Sequence, residues 1–173
     1  PSIKSLSVDK NIPTGKGEND DKIYKLKITL SNAFLPRPHR TVLVKGSITM
    51  TDLHHVIQIA MDWDNYHLFT FKKIKGLVGK EIKIPHDSDS FFSIIKIIDS
   101  DKVKLGDINF SIKEKFNYLY DFGDCWEHTI LVQDIISNKE LKFPTCIDGK
   151  FPTPHEDSRG DYRKLISFNI NKI

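Results

Sequence analysis

The stretch from residue 116 to residue 132 constrains the fold more than any other part of the chain. In its first half, aromatic side chains recur at every second position, the period that places them on one face of a β-strand: Phe116, Tyr118, Tyr120 and Phe122. The second half repeats this alternation with another apolar set: Trp126, His128, Ile130 and Val132. We therefore predict two neighbouring strands that form a β-hairpin.

The connection between these strands contains two acids and a glycine. Asp121 and Asp124 suit a turn, because aspartate side chains accept hydrogen bonds from nearby backbone N–H groups. Gly123 is the residue best able to take a positive φ there. Cys125 has no basic neighbour in sequence, and we interpret it as structural.

Size and composition favour one globular domain. The chain has 173 residues, 39% of them hydrophobic, which is enough for a proper core. Its net charge of +3 permits contact with nucleic acid without arguing for it. Two cysteines without a CxxC motif exclude a disulfide scaffold or a cysteine-based zinc site, and they fit the reducing cytoplasm. Because no apolar run approaches eighteen residues, we expect no membrane partner.

The N-terminal half predicts an arm, two strands and a helix. Residues 1–21 are polar and lack periodicity, which is typical of a flexible arm, and the domain is expected over 22–173. Residues 23–30 alternate as a half-buried strand, and 41–45 form a second strand. Residues 49–61 carry an apolar stripe at helical spacing after a Thr-x-x-Asp capping box, so we predict a helix there.

The remaining segments give less distinct patterns. Residues 72–83 contain five lysines and two glycines and resemble a basic hairpin. Residues 91–98 are strongly apolar, which fits a helix or a strand, and we favour the helix. A final helix is expected at about 161–168. The resulting fold class is α+β: a single domain with a mostly antiparallel sheet, whose central hairpin (about 116–135) packs against helices at about 50–61 and 161–168.

Several of these segments together resemble a known protein family. The Tyr-x-Leu-x-Ile-x-Leu strand at 24–30, the Asp-Leu-His-x-Val-Ile-Gln helix at 52–58 and, above all, the Tyr-Asp-Phe-Gly-Asp-x-Trp-x-His motif at 120–128 resemble the plasmid open-reading-frame-three-like family. The match covers roughly residues 22–168 in the same order. The family takes its name from a root-inducing plasmid, and some members are passenger proteins of insertion sequences.

The resemblance implies a single α+β domain and an association with mobile genetic elements. It implies no established activity, because the family is mostly of unknown function. The segment at 153–160 departs from the family pattern: it lacks the cysteine that members place there, while Glu156 and Asp157 are kept. A role for a pair formed with Cys146 is therefore not expected in this chain.

One candidate site combines histidines and carboxylates that the fold would have to bring together. Such a cleft binds a divalent metal and activates water for hydrolysis. The alternative is structural: the acids at 121 and 124 shape the turn, the histidine at 128 is a core residue, and the acids at 156–157 cap the last helix. The candidate residues are His54, Asp121, Asp124, Trp126, His128, Glu156 and Asp157.

A second candidate surface binds nucleic acid by charge. Lysines of the basic hairpin would contact phosphates, although solvated lysines on strands are ordinary and protect sheet edges. The aromatic row at 118–122 is either core or a stacking platform for bases. The lysines are Lys72, Lys73, Lys75, Lys80 and Lys83.

Two functions follow from these patterns. We favour an accessory protein of a mobile element that acts as a non-enzymatic binding module for a protein or nucleic-acid partner, with no cofactor. The alternative is a metal-assisted hydrolase that uses the His/Asp/Glu site.

Overall fold

The computed structural model describes residues 17–33, 36–86, 95–137 and 140–158. Within these ranges the chain forms one α-helix, two short 3-10 helices (Ser100–Lys102 and Leu105–Ile108) and a single eight-stranded sheet. The elements in chain order are β1 (Ile23–Leu30), β2 (His39–Lys45), α1 (Met50–Met61), β3 (Phe69–Lys72), β4 (Lys80–Lys83), β5 (Lys96–Asp99), β6 (Lys115–Tyr120), β7 (Trp126–Ile136) and β8 (Thr145–Lys150).

The sheet is mixed, in the order β5-β4-β3-β6-β7-β1-β2-β8. β4 and β5 are parallel, and the other neighbours pair antiparallel. This arrangement of sheet and helix agrees with the predicted α+β class. No helix in the described ranges is long and apolar enough to cross a membrane.

The predicted hairpin is confirmed at the centre of the sheet. β6 pairs with β7 from Lys115 opposite Leu131 to Tyr120 opposite Trp126. The side chains that share the inner face are fully or almost fully buried: Phe116, Tyr118, Tyr120, Trp126, His128, Ile130 and Val132. The aromatic row at 118 and 120 is therefore core rather than an exposed stacking platform. Phe122 lies in the turn and is exposed.

The turn itself differs from the prediction. The positive φ values fall on Asp121 (56°) and Cys125 (54°), so the assignment of a positive φ to Gly123 was wrong. Aspartate tolerates the left-handed region better than most residues, because its short side chain bonds locally. Here Oδ1 of Asp121 accepts a hydrogen bond of 2.8 Å from the N–H of Gly123. This bond fixes the turn and directs the carboxylate.

The helix α1 begins with the predicted capping box. Thr49 Oγ1 accepts from the N–H of Asp52 at 3.0 Å, and Asp52 Oδ2 accepts from the N–H of Thr49 at 2.9 Å. The stripe that faces the sheet is wider than its apolar residues alone, because His54 and Gln58 are buried with it. The helix therefore brings two polar side chains into the core, where they require partners.

Thr49→Ala is expected to lower the free energy of unfolding by about 1 kcal/mol, because it leaves a helix N-terminal N–H without its side-chain acceptor. Urea unfolding measures the change. Thr49→Ser keeps the hydroxyl and is the matched control, with little expected change. Equal losses in the two variants would contradict the capping role.

One helix prediction is wrong where the structure describes it. Lys96–Asp99 is strand β5, parallel to β4, with Ile98 buried opposite Ile82. A short apolar run of isoleucines is compatible with a buried strand as well as with a helix. Pairing with a neighbouring strand therefore determines which of the two forms. Residues 91–94 and the predicted helix at 161–168 lie outside the described residues, as does the arm up to residue 16.

Candidate functional site

His67 and Asp121 meet because β3 and β6 are neighbours. The strands run antiparallel with Phe69 opposite Tyr120, so the start of β3 lies beside the end of β6. The N–H of Asp121 continues this pairing with a 2.9 Å hydrogen bond to the carbonyl of Leu68. As a result, His67 Nε2 lies 3.7 Å from Asp121 Oδ2.

Asp157 completes a three-residue cluster. Its Oδ1 is 3.0 Å from His67 Nε2, and the ligand-type atoms of His67, Asp121 and Asp157 all lie within 4.8 Å of one another. Across the described ranges this is the only group of three histidine, cysteine or acidic side chains so close together. Both aspartates have left-handed backbones, at φ 56° and 55°. Such conformations occur preferentially at functional sites.

The segment before Asp157 is held against the end of α1. Thr153 Oγ1 donates to the carbonyl of Met61 at 2.6 Å. Trp63 Nε1 donates to the carbonyl of Pro154 at 2.8 Å, a buried bond. These contacts fix the position of Asp157 although its own side chain is exposed.

Glu156 joins this segment to the sheet. Its Oε2 accepts a 2.6 Å bond from the N–H of Asp64, and its Oε1 accepts from the hydroxyl of Tyr120. That hydroxyl also accepts a 3.2 Å bond from the N–H of His67. Burial, and then the bond to Glu156, raises the pKa of Tyr120 well above its usual value. Glu156 therefore positions the backbone of His67 through the hydroxyl of Tyr120.

These distances suit a shared metal ion. Ligands about 2.1 Å from one ion lie about 3.0 Å apart in octahedral and about 3.4 Å apart in tetrahedral geometry. The separations of 3.0 and 3.7 Å from His67 bracket those values. Nε2 of His67 has little access to solvent and makes no well-oriented hydrogen bond within the described residues. It points between two carboxylates, as a ligand nitrogen does.

A pocket of about 210 Å³ opens beside the cluster, and His67 lies in its wall. Its apolar lining consists of Leu68, Phe69, Ile84 and Phe122. Its polar lining consists of His54, His55, Asn65, His67, Lys83 and His86.

His54 forms a wall of this pocket. Its Nε2 is 2.6 Å from Asn65 Oδ1, an acceptor, so Nε2 carries the proton. Its Nδ1, 2.7 Å from the hydroxyl of Tyr118, is then the acceptor, and Gln58 Nε2 donates to the same hydroxyl at 2.9 Å. The ring stacks on Phe69 with centroids 3.8 Å apart. Burial lowers the pKa of His54 to about 4. Both nitrogens are occupied, so His54 is not placed to bind a metal.

His128 and Trp126 lie in the core rather than in the cluster. His128 is 0% exposed, and its Nδ1 is 3.1 Å from the carbonyl of Trp126. Burial lowers the pKa of His128 to about 4. Its ring meets Trp63 edge-on, with centroids 5.4 Å apart. Asp124 is partly exposed in the turn and is not part of the three-residue group.

The structure thus brings together Asp121 and Asp157, places Glu156 next to them and places His54 in the adjoining pocket. Sequence reasoning missed His67. The sequence did contain a weak signal. His67 precedes the apolar strand β3 by two residues, and a side chain in that position lies near the end of the strand.

The five predicted lysines do not form one surface. Lys72 lies 3.7 Å from Glu127, and Lys75 Nζ donates to Glu114 at 2.8 Å. Four of the five line a groove of about 580 Å³ that also contains Lys115: Lys72, Lys73, Lys75 and Lys80. Lys83 instead lines the histidine pocket, with its Nζ 6.0 Å from the centre of the Phe122 ring.

Comparison with known proteins identifies the family. The plasmid pRiA4b ORF-3-like protein family matches residues 22–170. The chain is 31% identical over 141 residues to the uncharacterized protein y4hQ of Sinorhizobium fredii, covering 81% of this chain and 68% of that protein. Its fold is similar to the crystal structure of MM3350 from Methanosarcina mazei, a protein of unknown function, with a TM-score of 0.71, 30% identity and coverage of 84% and 80% of the two chains. The chain therefore belongs to the plasmid pRiA4b ORF-3-like family.

Proposed function

We propose that the protein binds one divalent metal ion through His67, Asp121 and Asp157 and uses it to hydrolyse a substrate. The observation that carries the proposal is the approach of the three ligand atoms to within 4.8 Å of one another, beside an open pocket. Three protein ligands leave coordination positions for water and substrate, as catalytic metal sites require.

The surroundings of the ligands support this role. Asp121 Oδ1 is held by the N–H of Gly123, so Oδ2 is the oxygen that lies toward His67. Two carboxylates balance the charge of a divalent ion, and a bound water then loses a proton more readily than bulk water does. One imidazole nitrogen with two carboxylate oxygens suits manganese, iron or zinc.

Elemental mass spectrometry and calorimetric titration with Mn²⁺ and Zn²⁺ test the metal site on protein prepared without a histidine tag. We expect one ion per chain. Asp157→Asn is expected to weaken binding by at least about 10- to 100-fold, the loss typical of disturbed metal ligation. Asp157 is exposed, so this variant is expected to fold. Asp64→Asn, an exposed acid outside the cluster, is the matched control.

Hydrolysis is tested with p-nitrophenyl phosphate, its diester and p-nitrophenyl acetate. We expect turnover that a chelator removes and added metal restores in the wild type, but not in Asp157→Asn. The same three side chains are also close enough for an ion pair between His67 and the two acids without a metal. Failure to bind Mn²⁺ or Zn²⁺, or equal affinity in Asp157→Asn and the wild type, would leave only that ion pair and reject the proposal.

A second candidate function rests on the lysine groove between β3 and β4. As an accessory module of a mobile element, the protein would bind nucleic acid there without catalysis. Fluorescence anisotropy with labelled single-stranded and duplex DNA tests this: the logarithm of the association constant should fall linearly with the logarithm of the salt concentration between about 50 and 200 mM. Lys73→Gln is expected to reduce the slope by about one and Lys142→Gln not at all. If no DNA binds at the lowest salt concentration, nucleic acid is rejected as the partner of the binding module and a protein partner remains.

A further inference from the structure

We infer that the pocket beside the proposed metal centre binds a nucleoside phosphate, with the phosphate between the metal ion and Lys83 and the base against Phe122. The inference rests on the proposed function, because it names the substrate class of that site. His67 belongs both to the proposed metal site and to the pocket wall, so the pocket adjoins the position of the ion.

Within the described residues the pocket wall contains Lys83 and three histidines besides His67, and it contains no aspartate or glutamate. Neither carboxylate of the proposed metal site belongs to the described part of this wall. Lys83 thus places an ammonium group in the wall. A phosphate group satisfies both a metal ion and an ammonium group, because its oxygens accept charge-assisted bonds from each.

Leu68, Ile84 and Phe122 all line this pocket and are 46%, 42% and 43% exposed. Large apolar side chains grouped at the mouth of a pocket mark a binding site. The Nζ of Lys83 lies 6.0 Å from the Phe122 ring centre, so a cation and a flat aromatic surface are neighbours. A nucleotide presents the complementary pair, an anionic phosphate and a flat base.

A pocket of about 210 Å³ is smaller than the roughly 300–1,000 Å³ typical of drug-sized ligands. It holds the phosphate and sugar of one nucleotide, with the base on the exposed rim, and excludes paired nucleic acid. Free mononucleotides and the phosphorylated end of a single strand share this chemistry, and the experiment separates them.

Calorimetry on the Mn²⁺-loaded full chain tests the inference with AMP, ribose 5-phosphate and adenosine. We expect AMP to bind more tightly than ribose 5-phosphate, and adenosine to bind weakest. Phe122→Ala is expected to weaken AMP binding by about 5- to 150-fold, the effect of losing one stacked base, and to leave ribose 5-phosphate unchanged. Lys83→Met is expected to weaken both phosphates by about tenfold or more. Lys80→Met, on the same strand but in the lysine groove, is the control and should change neither.

The source of the nucleotide is resolved by a 5′-phosphorylated oligonucleotide. Tighter binding than AMP indicates a strand end, and weaker binding indicates a free mononucleotide. Metal binding without phosphate binding, or equal AMP affinity in Lys83→Met and the wild type, overturns the inference and leaves the metal proposal intact. If no metal binds, the proposed function fails. AMP binding that still depends on Lys83 and Phe122 would then keep the nucleotide pocket and overturn only its contact with the metal.

Discussion

Acidification from pH 7 to pH 5 is expected to lower the free energy of unfolding by about 4 kcal/mol through His54 and His128, about 2 kcal/mol from each. Burial lowers the pKa of both imidazoles from 6.5 to about 4. The unfolded chain therefore takes up protons near pH 6.5, while the folded chain keeps both rings neutral. The stabilisation is almost fully present at pH 7, is lost progressively as the pH falls from about 6.5 to about 4, and changes no further below that.

Urea unfolding at pH 7, 6 and 5, in the presence of a chelator, measures this dependence without a contribution from metal. His128→Phe keeps an aromatic ring beside Trp63 and removes one titration, so about half of the pH dependence should disappear. His55→Gln alters an exposed neighbour of His54, whose charge is the smallest cause of the lowered His54 pKa, and should change the dependence only slightly. Constant stability from pH 7 to pH 5, or equal effects of the two variants, would contradict the expectation.

Tyr118→Phe is expected to cost about 2–4 kcal/mol, because removing one hydroxyl leaves two buried groups without a partner. That hydroxyl donates to His54 Nδ1 and accepts from Gln58 Nε2. The ring is retained, so the loss of packing is small. The loss in free energy of unfolding therefore measures the contribution of the polar network inside the core rather than the cost of a cavity.

Tyr24→Phe is the matched control, since Tyr24 is equally buried but no hydrogen bond of its hydroxyl is found within the described residues. Urea unfolding at pH 7 is expected to show a loss below about 1 kcal/mol for this control. Adding Gln58→Leu to Tyr118→Phe should recover part of the cost, because the stranded donor is removed as well. A cost for Tyr118→Phe no larger than for Tyr24→Phe would show that the network does not stabilise the fold.

Local patterns predicted the local elements. The alternation at 116–132 predicted the β6–β7 hairpin, and the apolar stripe with its Thr49–Asp52 box predicted α1. The predictions from sequence patterns failed where the same side chains fit two different backbone conformations. The isoleucines of β5 suit a helix until the parallel pairing with β4 is known, and the left-handed position of Asp121 depends on a hydrogen bond to Gly123.

The candidate site was predictable only in part. Asp121 and Asp157 were both proposed, and the turn residues and the 156–157 segment do approach each other. His67 was not proposed, because its meeting with Asp121 depends on which strand lies beside β6. That neighbour is β3, about fifty residues earlier in the chain, and no periodicity encodes the pairing. His128 was proposed because its alternation with Trp126 does not distinguish a ligand from a core histidine.

The position of β1 within the sheet has a consequence for how the chain is made. β1 lies between β2 and β7, and β2 in turn pairs with β8. Strands that are synthesised early therefore gain these partners only after strands much later in the chain have been synthesised. Until residues 126–150 have been synthesised, β1 and β2 form a two-stranded ribbon whose two outer edges have no partner strand for their backbone hydrogen bonds. Such high contact order slows folding and exposes strand edges to other chains. We therefore expect synthesis, rather than the finished fold, to be the stage at which this protein depends most on chaperones.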